Sequence, residues 1–176
     1  MPDPTFSLRP ALPADASVLS ALASRTFTDT FRGHHSAENL AAFTEAAYNL
    51  AKIRAELEDP HRDWLLAEQE GEAVGYALMR WGHREPCVGG PDPVVELERI
   101  YALAAFQGRG LGPALMQACV DLALLKGART MWLGVWERNA RALAFYAKWG
   151  FRDVGAHRFL VGTDDMTDRI LERELA

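Results

Sequence analysis

The chain has 176 residues, of which 49% are hydrophobic and 24% charged, and its formal net charge is −5. This is the balance of an ordinary globular protein that can bury a core without disulfide or metal staples. The net negative charge and the lack of a stretch rich in Lys and Arg disfavour nucleic acid as the main partner. Two cysteines are too few for a disulfide framework or a four-cysteine metal site, and we expect no bound metal.

Neither a leader nor a membrane span is predicted. The start of the chain, residues 1–4, lacks a basic region and an apolar region, and no apolar run approaches the ~20 residues that cross a bilayer. We therefore expect a cytoplasmic protein with no membrane partner. The length and the absence of repeats or linkers predict a single domain over residues 1–176.

Apolar spacing and turn residues predict the elements in the order β, α, α, β, β, β, α, β, α, β, β. In chain order, we expect a strand at 6–9, a helix opening at 13–15, a helix at 36–57, a hairpin of strands at 64–68 and 73–81, a loop at 82–93, a strand at 94–103, a helix at 111–126, a strand at 130–136, a helix at 139–149, and closing strand segments at 151–154, 159–161 and 170–175. Hairpins come first and one β-α-β unit lies in the middle. This order predicts an α/β mixed fold, with helices on both faces of a mixed sheet.

A glycine-rich turn lies between the strand at 94–103 and the helix that follows it. Its sequence is Gln107-Gly108-Arg109-Gly110-Leu111-Gly112. Glycine lets the backbone turn tightly and approach a ligand, and a helix N-terminus offers free N–H groups to an anion. A pyrophosphate cradle is predicted, to which Arg109 adds a cation; a tight turn without a ligand is the alternative. The turn lacks the Gly-Lys-Ser/Thr of a P-loop and the G-x-G-x-x-G spacing of a dinucleotide site.

Gln107, Gly110 and Gly112 fill the fixed positions of Q/R-x-x-G-x-G/A, the signature of the Gcn5-related N-acetyltransferase (GNAT) family. The sequence resembles this family over nearly its whole length, and the resemblance implies a mostly antiparallel, twisted sheet. Four segments carry it further: Thr26-Phe27-Thr28-Asp29-Thr30-Phe31, Glu96-Leu97-Glu98-Arg99-Ile100-Tyr101, Trp132-Leu133-Gly134-Val135-Trp136-Glu137-Arg138-Asn139 and Ala144-Phe145-Tyr146-Ala147-Lys148-Trp149-Gly150-Phe151. Three of them, all but the Glu96 segment, are similar to the bacterial PaiA-type spermidine/spermine acetyltransferases.

The resemblance implies acetyl-CoA as the acetyl donor. Amides of Gly108, Arg109, Gly110, Leu111 and Gly112 would then hold its pyrophosphate, beside Gln107. Backbone groups of Tyr101 and Ala102 would pair with the pantetheine and polarise the thioester carbonyl. Pro113 stands where many relatives offer another amide, and proline has no N–H, so one phosphate contact is in question.

Asn139 and Tyr146 lie two turns apart on one face of the last predicted helix, roughly 10 Å apart along its axis. By resemblance, Asn139 contacts the cofactor and Tyr146 is the general acid that protonates the departing thiolate. Asn139 could equally be a helix N-cap, and Tyr146 could be a half-buried packing residue.

Direct transfer also requires the acceptor amine to lose a proton. Glu96 and Glu98 lie on one face of a predicted strand, and by resemblance either could take or relay that proton. Two solvated carboxylates, or partners for Arg99, are the alternative.

The acceptor site is predicted less sharply. Phe27, Asp29 and Phe31 lie where the family places its acceptor loop, and Trp81 ends a strand that could border the same opening. Aromatic walls and a carboxylate suit a cationic amine.

These features together favour an N-acetyltransferase that moves an acetyl group from acetyl-CoA directly to a small amine such as spermidine or spermine. A GNAT acting on a protein N-terminus, an amino acid or an antibiotic is the first alternative, and an acyl-CoA-binding sensor without turnover is the second. A homodimer is compatible with the sequence.

Overall fold

The computed structural model describes residues 6–176, so the first residues, on which the prediction of no leader rests, lie outside it. The strands are β1 (Ser7–Pro10), β2 (Arg62–Gln69), β3 (Glu72–Trp81), β4 (Val94–Ala102), β5 (Thr130–Trp136), β6 (Arg152–Val161) and β7 (Asp164–Glu174). The helices are α1 (Ala16–Phe31), α2 (Ala37–Tyr48), α3 (Leu50–Glu58), α4 (Leu111–Leu125) and α5 (Ala140–Lys148). No helix within residues 6–176 is long and apolar enough to span a membrane.

The single helix predicted at 36–57 is wrong, because Asn49 divides it into α2 and α3. Asn49 adopts an extended conformation with φ −61° and ψ 156°, and its side chain accepts a hydrogen bond from the amide of Lys52. Asparagine is a strong N-cap residue, and here this local preference interrupts an otherwise continuous apolar period. Next to this break, the Tyr48 side chain is buried in the core.

The end of the chain forms one long hairpin rather than short strand segments. β6 and β7 pair antiparallel from Arg152↔Glu172 to Val161↔Asp164. Gly162 has φ +59° in the turn, and a Cβ there would lie 2.3 Å from Oδ1 of Asn39, at the start of α2. The close approach fixes the hairpin tip against the helix that follows α1.

The seven strands form one sheet in the order β1-β2-β3-β4-β5-β7-β6, in which only β4 and β5 are parallel. This confirms the predicted mixed, mostly antiparallel sheet with a central β-α-β unit. One core packs α4 and α5 against the sheet around residues such as Leu115, Met116 and Tyr146. A second core packs α1, α2 and α3 against the other face around Leu19, Ile53 and other apolar side chains. Helices therefore cover both faces, as predicted.

Candidate active site

A cavity of about 880 Å³ opens where β4 and β5 separate. The two strands pair only from Val94↔Thr130 to Glu96↔Trp132. Beyond that point, residues 97–102 of β4 and 134–136 of β5 line the two sides of the opening. Backbone groups on the facing edges have no ladder partner there and are available to a ligand. The topology therefore builds a binding site into the centre of the sheet.

The glycine-rich turn lies beside one end of this cavity. Gly108 and Gly110 have φ +74° and +87°, a conformation that side chains disfavour, and Gly110 is the N-cap residue of α4 with no side-chain cap. Gln107 and Gly112 line the cavity, whereas Gly108, Arg109 and Gly110 are outside its lining. The first amides of α4 thus remain free for an anion near the cavity, and this geometry fits a pyrophosphate.

The side chain of Leu111 anchors the turn in the core, whereas that of Arg109 lies over a neighbouring aromatic ring. The Leu111 side chain is fully buried, so it anchors the start of α4 and leaves only its amide for a ligand. The Arg109 guanidinium lies 5.5 Å from the centroid of the Phe106 ring. Across the cavity, Arg141 of α5 donates a hydrogen bond to Gln107 and joins this helix to the turn.

Tyr101 and Ala102 line the cavity at the end of β4, where their other backbone edge pairs with Tyr76 and Gly75 of β3. The strand is therefore held on one side and open on the other. This is the arrangement needed to pair with an extended pantetheine arm, and it places both predicted residues in the site.

Asn139 and Tyr146 both line the cavity from α5. Asn139 is also the helix N-cap, since its side chain accepts a hydrogen bond of 3.1 Å from the amide of Ala142. Tyr146 is only 9% exposed, with its ring packed edge-on against Phe145 and Phe151. Burial raises the pKa of Tyr146 well above its usual range. The phenol therefore keeps its proton at neutral pH, as a general acid must.

The two β4 carboxylates lie on the same side of the strand but only one reaches the cavity. Glu98 lines it and forms an ion pair with Arg62, with Arg99 at 3.7 Å. Glu96 does not line it; its carboxylate accepts a hydrogen bond of 2.8 Å from Arg80 and lies 3.1 Å from Nδ1 of His83. Burial raises the pKa of Glu96, opposed by Arg80.

Of the four residues predicted on the acceptor side, three line the cavity and Trp81 does not. Phe27, Asp29 and Phe31 of α1 line the cavity. Trp81 pairs with Val95, where β4 and β5 are still joined, and its indole donates a hydrogen bond of 2.6 Å to Asp63. This position is on the closed side of the sheet, away from the opening.

Among the cavity residues that were not predicted are Tyr48, Trp136 and Asp168. Trp132 is fully buried, whereas Trp136 is not. Trp136 extends past the point where β4 leaves β5 and packs 5.6 Å, between ring centroids, from Phe31. Asp168 sits opposite Trp136 in the β5–β7 register, a pairing that no local sequence pattern reveals.

A glycine-rich turn with free helix N-terminal amides, beside an opening between two parallel strands, is the arrangement expected of a protein that binds an acyl-CoA thioester. Residues 23–151 match the model of the acetyltransferase (GNAT) family, and the chain belongs to that family. It is an acetyl-CoA-dependent N-acetyltransferase.

Similar sequences and solved structures are also N-acetyltransferases. An uncharacterized N-acetyltransferase of Mycobacterium tuberculosis is 37% identical over 92% of this chain and 98% of its own length. N-alpha-acetyltransferase RimI of the same organism is 35% identical over 61% of this chain and 63% of its own. The crystal structure of PaiA N-acetyltransferase from Thermoplasma acidophilum in complex with coenzyme A has a TM-score of 0.79 at 19% identity, over 97% of this chain and 99% of that one, which shows a shared fold.

Proposed function

We propose that this enzyme acetylates a primary amine of a polyamine such as spermidine or spermine, by direct transfer from acetyl-CoA in a ternary complex. The observation that carries the proposal is the composition of the acceptor end of the cavity. Aromatic side chains and three carboxylates line the same space; they are Phe27, Phe31, Phe43, Tyr48, Trp136 and Phe159, with Asp29, Glu98 and Asp168. Aromatic faces and carboxylates together favour an elongated cation.

The cationic residues of the cavity distinguish a cofactor end from the acceptor end. Arg138 and Arg141 line it beside Asn139 at the start of α5, close to the glycine-rich turn, and suit the anionic cofactor. Arg99 is neutralised by a double hydrogen bond to Glu56, at 2.8 and 3.0 Å. Lys52 also lines the cavity, and Asp29 and Glu98 pair with Arg32 and Arg62. Among the three carboxylates, Asp168 is the one that no Lys or Arg of residues 6–176 pairs with, so it is the negative charge left to face a cationic amine.

Direct transfer is favoured because neither cysteine is placed as a nucleophile. Cys119 is fully buried in α4, and burial raises the pKa of its thiol to about 12. Neither Cys119 nor Cys87 is in the lining of the cavity. An acetyl-cysteine intermediate would require a thiolate within reach of the thioester.

In the proposed mechanism, acetyl-CoA supplies an activated acetyl group along the open edge of β4. Backbone groups of Tyr101 and Ala102 orient the thioester, and the free amides at the start of α4 hold the pyrophosphate. Tyr146 donates its proton to the departing sulfur. Of the two β4 carboxylates, we assign Glu98 to contact with the acceptor, and Glu96 to support of the strand from behind through Arg80.

A peptide N-terminus is the second candidate acceptor, since the matched segment of RimI is 35% identical. A panel of acceptors distinguishes the two. CoA release would be measured with spermidine, spermine, a simple monoamine, an amino acid and a peptide beginning with alanine. The proposal predicts the highest kcat/KM for spermidine or spermine. A higher value for the peptide would contradict it.

A further inference from the structure

Besides Asp29 and Glu98, one buried carboxylate lines the cavity, that of Asp168. Asp168 is 9% exposed and lies in the middle of β7. The sheet register places it opposite Trp136 of β5 on one side and His157 of β6 on the other. An aromatic face and a carboxylate thus lie side by side at the acceptor end of the cavity.

Asp168 is connected to solvent by two further side chains. Nε2 of His157 lies 3.6 Å from Oδ2 of Asp168, and Nδ1 of the same ring lies 3.1 Å from Oε1 of Glu85. The side chains of Asp168, His157 and Glu85 are 13%, 31% and 25% exposed, respectively. An imidazole between two carboxylates can accept a proton at one nitrogen and release one from the other.

The loop that carries Glu85 is fixed in place by its own contacts. Arg84 donates to the carbonyls of Val88 and Gly90 at 2.7 and 3.0 Å. The buried Glu172 accepts hydrogen bonds from the amides of Gly89 and Gly90, at 2.9 and 3.2 Å. The position of Glu85 beside His157 is therefore a property of the fold.

Asp168 is better placed than the β4 carboxylates to receive a proton. Glu98 already pairs with Arg62, and Glu96 is outside the cavity. Within residues 6–176, Asp168 has no Lys or Arg partner among the ion pairs; the titratable groups that face it are His157 and Tyr101. Burial raises the pKa of Asp168, and His157 opposes this in part.

We propose that Asp168 binds the ammonium group of the acceptor and takes its proton, and that His157 and Glu85 pass this proton to solvent. The proposal rests on the proposed function, of which it specifies the proton path. It places the general base on β7, rather than on β4 as the sequence suggested.

The step balances as follows. One N–H bond of the ammonium breaks and its proton moves to Asp168, then to His157 and Glu85. The free amine forms the C–N bond, and the C–S bond breaks as Tyr146 gives its proton to sulfur. The second proton that the nitrogen loses replaces the one from Tyr146, so a single proton is released per acetyl group.

The test is the pH dependence of kcat/KM for spermidine in wild type and Asp168→Asn. We expect a loss of about 100-fold near neutral pH, the size typical of a missing general base. Because only the free amine then reacts, the activity of Asp168→Asn should recover about tenfold per pH unit as pH rises toward the pKa of the amine. His157→Gln should show a smaller loss with the same recovery. Asp165→Asn, on the same strand but exposed and paired with Arg158, should match wild type.

Two results would overturn the proposal. If Asp168→Asn lost activity by the same factor at every pH, with acetyl-CoA binding intact by calorimetry, its role would be structural. If it kept wild-type activity, the carboxylate would not be the base. A wild-type enzyme that transferred acetyl groups to no amine of the panel would overturn the proposed function and this inference together; if another amine is the substrate, the same pH profile is measured with that amine.

Discussion

Replacing Tyr146 by phenylalanine removes one oxygen atom and should abolish most of the catalysis. The ring remains packed between Phe145 and Phe151, at centroid distances of 5.4 and 5.8 Å, so the core keeps its shape. In the proposed mechanism, what is lost is the proton that the buried phenol gives to the sulfur. A missing general acid costs about 10²- to 10⁴-fold in rate, or about 3–5 kcal/mol of transition-state stabilisation.

The measurement is kcat at saturating acetyl-CoA and spermidine, with calorimetry to confirm that the Kd for acetyl-CoA is unchanged. Tyr76→Phe is the matched control. Tyr76 is fully buried, is not in the cavity lining, and its hydroxyl has no hydrogen-bond partner within the described part of the chain. Its loss should leave kcat unchanged.

A Tyr146→Phe enzyme that keeps more than about a third of wild-type kcat would refute the general-acid assignment, because that loss is far below the range for acid catalysis. Tyr76 belongs to the core on the other face of the sheet, so a parallel loss in Tyr76→Phe would show that removing a buried tyrosine hydroxyl lowers kcat in general, and the loss in Tyr146→Phe could not then be ascribed to the missing proton.

Three further predictions concern binding and stability. Trp136→Ala should raise KM for spermidine about 5- to 30-fold, since a cation–aromatic contact is worth about 1–2 kcal/mol, and leave the Kd for acetyl-CoA unchanged; an unchanged KM would place the acceptor elsewhere. Glu172→Gln should lower the free energy of unfolding by about 2 kcal/mol in a urea titration, because the bonds to the loop amides lose their charge assistance and the ion pair with Arg152 is lost; no change would show that the loop is held by its other contacts. Asp168→Asn should be at least as stable as wild type at pH 7. Folding raises the pKa of Asp168, so the carboxylate destabilises the native state once pH rises above the pKa of this group in the unfolded chain. A lower Tm for Asp168→Asn would contradict this prediction.

Local patterns were enough to predict most of the fold. The turn residues at 70–71 and 127, and the apolar periods on either side, marked strands and helices that the structure contains. The helix at 36–57 failed because a single capping residue, Asn49, outweighed the apolar period. The length of the closing hairpin was missed because its strands carry exposed polar residues on one face and do not alternate cleanly.

The residues proposed for the cofactor end could be named from the sequence because each belongs to a local feature. The glycine-rich turn, Asn139 and Tyr146 are local features, read along a short stretch of chain. The acceptor end depends on which strands become neighbours. Asp168 meets Trp136 and His157 only through the pairing of β7 with β5 and β6, and Trp81 is excluded only by its register with β4. Such long-range pairings leave no signal in one sequence.

We propose direct acetyl transfer to a polyamine within the opening between β4 and β5. The decisive experiment measures initial velocities of CoA release over a grid of acetyl-CoA and spermidine concentrations. We expect release that requires spermidine and double-reciprocal lines that intersect, the pattern of a ternary complex. Parallel lines would indicate an acetyl-enzyme intermediate, and release independent of spermidine would show that the polyamine is not the acceptor.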